Sequence, residues 1–254
     1  MNPLLTAGIV FGCLVAAISM GRWLQRVVPQ HRLSKDTKDT VNLAMGLVGT
    51  MAALLLSLLV SSAKGSFDTT RGQVIATAAD IAIVDRVLGL YGPDGVELRS
   101  DLRALTEAQV QLMWPNSVTS ATRTERKAPT GDAFYGAVMG LPQRDDTQRM
   151  LKAQAVATTV DFGRLRALVI AEAVPSITWP LLTLLVAWLG IIYVSFSLTS
   201  PRNAVAFLAL IASALCVASA IFLILELDGP FSGLIQVSGE PMLKVLAQLG
   251  KWAL

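Results

Sequence analysis

The chain has 254 residues, 53% of them hydrophobic and only 15% charged, with a net charge of +3. A soluble domain of this length carries about 25% charged residues, so composition favours a membrane protein. The basic excess sits in one short segment, which excludes a nucleic-acid footprint and points to lipid headgroups.

The first apolar run covers residues 3–21. It holds no charged side chain, and the basic residues follow it rather than precede it. That order predicts a signal anchor with its N-terminus outside, not a cleaved leader. Gly8, Gly12 and Ala16 recur every four residues, a spacing that lets helices approach closely. Cys13 here and Cys216 in the fourth run are expected to pack as small apolar residues; there is no CxxC.

The next segment, residues 22–40, carries Arg22, Arg26, Arg32, Lys35 and Lys38 against Asp36 and Asp39. The positive-inside rule places it in the cytoplasm and the insert, residues 63–175, on the other side. His31 is the single histidine. It cannot form a histidine-based metal site alone and is expected to face solvent or headgroups.

The second run covers residues 41–62. Gly49, Ala53, Ser57 and Ser61 stand on it at strict four-residue spacing. Such a stripe packs helices together, or lines a water-filled pore.

Residues 63–175 form the one sizeable extramembrane region. Val74, Ala78, Ile81, Val84, Leu88 and Tyr91 predict an amphipathic helix that continues out of the second run. Gly92, Pro93 and Gly95 stop it. Leu98, Leu102, Leu105, Ala108 and Leu112 then predict a second helix folding back as a hairpin. A polar stretch follows Trp114-Pro115, and a short helix is expected over residues 133–139. Asp145 and Asp146 suit the start of a last helix, where acids offset orphan N–H groups. No run alternates with β-branched residues, so no sheet is expected.

The third and fourth runs cover residues 177–198 and 204–227, joined by the turn TSPRN with Arg202. At about 1.5 Å per residue, all four runs can cross a hydrocarbon core of about 30 Å. None holds a charge at depth until Glu226, in the last turn of the fourth. That absence argues against proton-coupled carriers and voltage sensors, and leaves channels and scaffolds open. Counting crossings puts Lys64, Glu226 and Asp228 on one face of the membrane. They are candidates for a structural ion pair, or for a charged pore mouth in a symmetric oligomer.

In residues 228–254, Ser238 can cap a helix with Pro241 in its first turn. Met242, Val245, Leu246, Leu249 and Trp252 then make an apolar face, expected to lie on the bilayer or to pack on the insert. There is no HExxH, GxSxG, Walker loop or dinucleotide fingerprint. No enzyme activity, catalytic residue, metal site or cofactor is expected.

The stretches LLLSLLVSSAKGSFD, VDRVLGLYGPDG, SPRNA and IFLILELDGPFSGLIQVSGEPM resemble the bacterial bestrophin-like domain family of unknown function. The resemblance runs nearly end to end. One departure stands out: the family pattern commonly has Arg after LELD, where this chain has Gly229. The resemblance implies a bacterial inner-membrane protein. True bestrophins are pentameric anion channels whose helical part between the second and third spans is cytosolic. That implication opposes the topology read from charge, and the charge reading is the one carried forward. No bestrophin pore or calcium residue finds a matching motif here.

The sequence therefore predicts an all-α integral membrane protein with four transmembrane helices in two pairs around a helical extramembrane domain. Its parts are residues 1–62, 63–175, 176–227 and 228–254. The leading expectation is a homo-oligomeric channel for anions or small solutes, a pentamer by analogy. Gly49, Ala53, Ser57 and Ser61 would line the pore, and Lys64, Glu226 and Asp228 would stand at its mouth. The bilayer is the expected partner, and nucleic acid is not. The alternative is a non-conducting scaffold or signalling module whose helical domain binds a protein partner that the sequence does not identify.

Overall fold

Apolar residues recurring at the helical period, with few prolines inside the runs, produce an all-α chain. The computed structural model describes residues 2–27, 35–115, 128–172, 179–201 and 203–251. Its helices are α1 (Pro3–Val27), α2 (Lys35–Leu90), α3 (Val96–Met113), α4 (Gly131–Met139), α5 (Asp146–Glu172), α6 (Trp179–Thr199), α7 (Ala204–Leu227) and α8 (Glu240–Gln248). Four of them, α1, α2, α6 and α7, are long and apolar enough to cross a membrane. The expected two pairs flanking other helices are therefore present, and no strand occurs among the described residues. His31, Arg202, Pro175, Trp252 and most of the polar stretch after Trp114 lie outside the described residues.

The chain divides into two compact units, Met1–Phe67 with Pro175–Ile235, and Asp68–Val174 with Gln236–Leu254. Helix α2 is 56 residues long and contributes to both. Only about 20 residues are needed to span hydrocarbon. The helix continues because nothing between Ser62 and Arg71 can break it except Gly65, and one glycine costs a helix only about 1 kcal/mol.

In the first unit, α1 lies against α6 and α7. Val10, Leu14, Ala17 and Ile18 of α1 pack with Leu182 and Tyr193 of α6 and with Ala214 and Ile221 of α7. Ser197 Oγ donates to the Ile18 carbonyl at 2.7 Å, and Tyr193 Oη donates to Ser213 Oγ at 3.1 Å. The close approach is made at Gly21, where an added methyl group would stand 2.5 Å from the Val194 carbonyl oxygen. Gly8, Gly12 and Ala16 lie instead on the exposed side of α1, as do Cys13 and, on α7, Cys216. The stripe that packs is offset from the one expected because the buried face is set by Leu14 and Ile18.

At the far end of α1, Gln25 Nε2 donates to the carbonyls of Leu198 and Ser200 at 2.8 and 2.7 Å. These are orphan acceptors at the end of α6, so one buried amide caps the helix.

In the second unit, α2 turns into α3 through Gly92 and a single 3₁₀ turn, Pro93–Gly95. Gly92 has φ +83°, a conformation glycine adopts without strain. A side chain at Gly95 would collide with the Leu88 carbonyl oxygen. Ile81, Val84 and Leu88 are buried as their period predicts, with Leu98, Leu102 and Leu105 of α3. Farther along α3 the register differs from expectation: Ala108 and Leu112 are exposed, and Gln109 and Val110 are buried. The true stripe follows the helix through a polar residue, which an apolar count passes over.

Helix α8 buries Met242 and Leu246 and packs on α3, so its apolar face is occupied within this unit. Trp114 Nε1 donates to the Val237 carbonyl at 2.8 Å, and Gly239 sits against the Trp114 ring, where a methyl group would come within 2.9 Å. Helix α5 begins where Asp145 Oδ1 accepts from the Gln148 amide at 2.6 Å.

Candidate functional site

A transmembrane helix divides its surface between neighbouring helices and whatever surrounds the chain. Helix α2 shows how its span is shared. Only 11% of its most apolar window is buried in the chain, against 33% of that in α1. Its packed face is Ala52, Leu59 and Ala63, which meet Leu185 and Ile192 of α6 and Ile224 and Leu227 of α7.

The remaining surface is itself divided. At about 100° per residue, Gly49, Ala53, Ser57 and Ser61 step from beside that packed face round to the side opposite it, where Ser61 borders Leu54. Met51, Leu54 and Leu58 occupy the other flank. Ala53, Ser57 and Ser61 are exposed, and Gly49 is half-buried with nothing within 4 Å of where a methyl group would go. The small and hydroxyl residues therefore pack nothing inside the chain. The leucine flank suits lipid; the hydroxyl flank suits water or a second copy.

The end of this span meets the end of α7. Ala63 and Leu227 belong to one buried cluster, which sets Lys64 level with Glu226 and Asp228. Their surroundings differ. Lys64 is exposed, with Nζ 5.8 Å from the centre of the Phe67 ring. Such a contact holds a cation without removing it from water.

Glu226 is only 3% exposed. Its Oε2 accepts from the backbone amides of Leu234 and Ile235, at 2.7 and 3.3 Å. The segment after α7 thus wraps back over its own helix end and seats a carboxylate on two N–H groups. Gly233 makes this possible: it has φ +91°, and a side chain there would collide with the Glu226 carboxylate. Asp228 is 8% exposed and forms the C-terminal cap of α7. The following Gly229 lies beside Ser232, whose Oγ would be 3.1 Å from an added methyl group.

The second unit holds a charged centre that the sequence analysis missed. Asp85 is fully buried and paired with Arg99 across the α2–α3 turn. The signal was present: Asp85 falls on the apolar face of Ile81, Val84 and Leu88. Hydrogen bonding to Asp85 raises the Arg99 pKa above its ordinary range. Among the described residues, no group of three or more His, Cys, Asp or Glu is placed to hold a metal ion.

Comparison with known proteins agrees with this architecture. The family model described as Bestrophin-like domain matches residues 12–242. A crystal structure of a point mutant of a bacterial bestrophin homolog from Klebsiella pneumoniae is similar in fold, with a TM-score of 0.65. That similarity covers 97% of each chain at 13% sequence identity. No curated protein matches the chain.

Proposed function

This chain belongs to the Bestrophin-like domain family, and from that premise we propose that it assembles into a homo-oligomeric membrane channel conducting anions or small solutes. The observation that carries the reading is the divided surface of α2. Ser57 and Ser61 are exposed on a span whose other free flank is leucine. In a ring of copies, the hydroxyl flank turns to the axis and the leucine flank to lipid or a neighbour. A pentamer is the assembly suggested by analogy with bestrophins.

Gly49 and Ala53 leave the lumen wide, and Ser57 and Ser61 supply hydroxyls to a passing ion. Lys64 is the mouth charge, since it is the exposed member of its trio and its sign favours anions. Glu226 and Asp228, being buried, shape the mouth rather than face it. By the charge of residues 22–40, that segment is cytoplasmic and residues 63–175 are outside, in a bacterial inner membrane. Cysteine accessibility at Ser34 and Ser120, substituted one at a time, tests that orientation.

The test of conduction is Ser57→Trp in planar bilayers. Loss of conductance with an intact oligomer on native gels supports the channel. The rival is a scaffold whose helical unit binds a protein. It draws on Ile75 and Ile83, which are 49% and 41% exposed on α2 in the second unit. A wild-type protein that assembles but passes no ion in liposomes decides for the rival.

A further inference from the structure

In the second unit, α4 and α5 form a cavity of about 360 Å³, within the range of small-molecule sites. Its wall is apolar, made by Phe134 of α4 and Phe162 of α5, both buried. Two glycines make the room. Gly163 of α5 has nothing within 4 Å of where a methyl group would go. Gly131 opens α4, and a methyl group there would have only Arg166 near it, with Nη1 at 3.8 Å. Thr159, Gly163 and Arg166 follow one another on α5 at helical spacing, so the space over Gly163 lies between the other two.

Asp132, Thr159 and Arg166 line the same cavity. Thr159 is buried, and its Oγ1 donates to the Ala155 carbonyl at 2.7 Å. Its one proton is committed there, so its oxygen is left to accept. The exposed Asp132 carboxylate also accepts, and the half-buried Arg166 guanidinium only donates. The two charges do not pair. Among the described residues, no ion pair joins Asp132 to Arg166, or either of them to another group. The guanidinium also lies beside the first turn of α4, where the helix dipole favours an anion over a cation. The cavity therefore offers one donor group of positive charge, one acceptor group of negative charge, and an aromatic wall.

We propose that this cavity binds a free α-amino acid with a large apolar side chain. The carboxylate meets Arg166, and the ammonium meets Asp132 and the Thr159 oxygen. The side chain lies on Phe134 and Phe162, where a ring gains an aromatic contact. The unpaired charges select the zwitterion. A plain carboxylate would bring a second negative charge to Asp132, and a plain amine a second positive charge to Arg166. The site lies wholly in the second unit, so it stands or falls apart from conduction.

Isothermal titration calorimetry of the full chain in neutral detergent tests the site, with phenylalanine, phenylpropionate, phenylethylamine and glycine as separate probes. Phenylalanine is expected to bind. The two singly charged analogues are expected to bind roughly tenfold more weakly, the worth of one charged hydrogen bond. Glycine, which lacks the apolar part, is expected to give no signal. Arg166→Gln weakens phenylalanine by about the same factor and leaves phenylethylamine no weaker than before. Asp132→Asn closes the gap between phenylalanine and phenylpropionate. Gly163→Leu fills the cavity and abolishes binding. It places a good helix former where there is room, so its melting midpoint should not fall. The two charge variants serve where the leucine variant fails to fold. A wild type that does not bind phenylalanine, or binds all three aromatic probes equally, overturns the proposal. So does undiminished phenylalanine binding in Arg166→Gln or Gly163→Leu, or an unchanged gap in Asp132→Asn.

Discussion

The Arg99 guanidinium meets the buried Asp85 carboxylate through two bonds, Nε to Oδ1 at 2.8 Å and Nη2 to Oδ2 at 3.0 Å. The Gly250 amide also donates to Oδ2, at 3.4 Å. One carboxylate thus gathers α2, α3 and the end of α8. Removing Arg99 strands a buried charge, which costs about 3–5 kcal/mol. Arg99→Met is expected to lower the melting midpoint in detergent by about 6–20 °C, at about 2–4 °C per kcal/mol. Asp85→Leu combined with Arg99→Met should recover most of that loss, because no charge is then left unpaired. A single variant melting with the wild type would show that water reaches Asp85.

Glu226 and Gly233 form a second coupled pair, at the proposed mouth. Glu226→Ala leaves the Leu234 and Ile235 amides without their acceptor, at a cost of about 1–3 kcal/mol each if they stay dry. Gly233→Ala fails in two ways, through its positive φ and through the collision with the carboxylate. Hydrogen exchange is the sharper readout. Both variants should speed exchange at the Leu234 and Ile235 amides by more than tenfold, about the effect of 1.4 kcal/mol, and leave α1 unchanged. Glu226→Gln, which keeps an acceptor oxygen, should fall between.

These two pairs mark the boundary of what was legible in the residues. The four spans could be read because hydrocarbon demands long uncharged runs, and the fourth, 204–227, coincides with α7. The hairpin at Gly92 was legible because only certain residues stop a helix there. Gln109 was not, since periodicity of apolar residues says nothing about a polar side chain on a buried face. Asp85 stood on such a face as well, but its partner Arg99 lies 14 residues away beyond a turn. Glu226 was read with Lys64 by counting crossings, which fixes depth and not direction. Its carboxylate turns to backbone amides that no side-chain pattern announces.

Asp80 gives the second unit a pH dependence of known sign. It is half-buried on α2, and burial, followed by the neighbouring Asp161 carboxylate of α5, raises its pKa above the ordinary 3.8. As pH rises, the unfolded chain gives up this proton first. The native state then binds more protons, and stability falls as pH climbs through the raised range. Asp80→Asn removes the penalty. Its melting midpoint should exceed that of the wild type near about pH 7 and converge with it below about pH 4. Asp161→Asn should give a smaller shift in the same direction, since it removes only the second cause. A constant offset at all pH values would assign the effect to packing instead.

Gly21 sets the distance between α1 and α6, and its replacement tests whether that distance is fixed by sterics. A methyl group there would meet the Val194 carbonyl oxygen at 2.5 Å and the Ser197 Cβ at 2.7 Å. One obstacle is backbone and the other is a side chain, so they can be separated. Gly21→Ala is expected to destabilise the first unit by about 1–3 kcal/mol, the range for overpacking a close contact. Ser197→Gly alone should also cost, because Ser197 Oγ donates to the Ile18 carbonyl. The double variant should be less damaged than the sum of the two, by about 0.5 kcal/mol or more, since the serine Cβ no longer opposes the new methyl. It should not reach the wild type, because the Val194 carbonyl remains. Strict additivity in melting measurements would mean that α1 shifts away as a whole, and that the backbone contact, rather than Ser197, governs how close the helices stand.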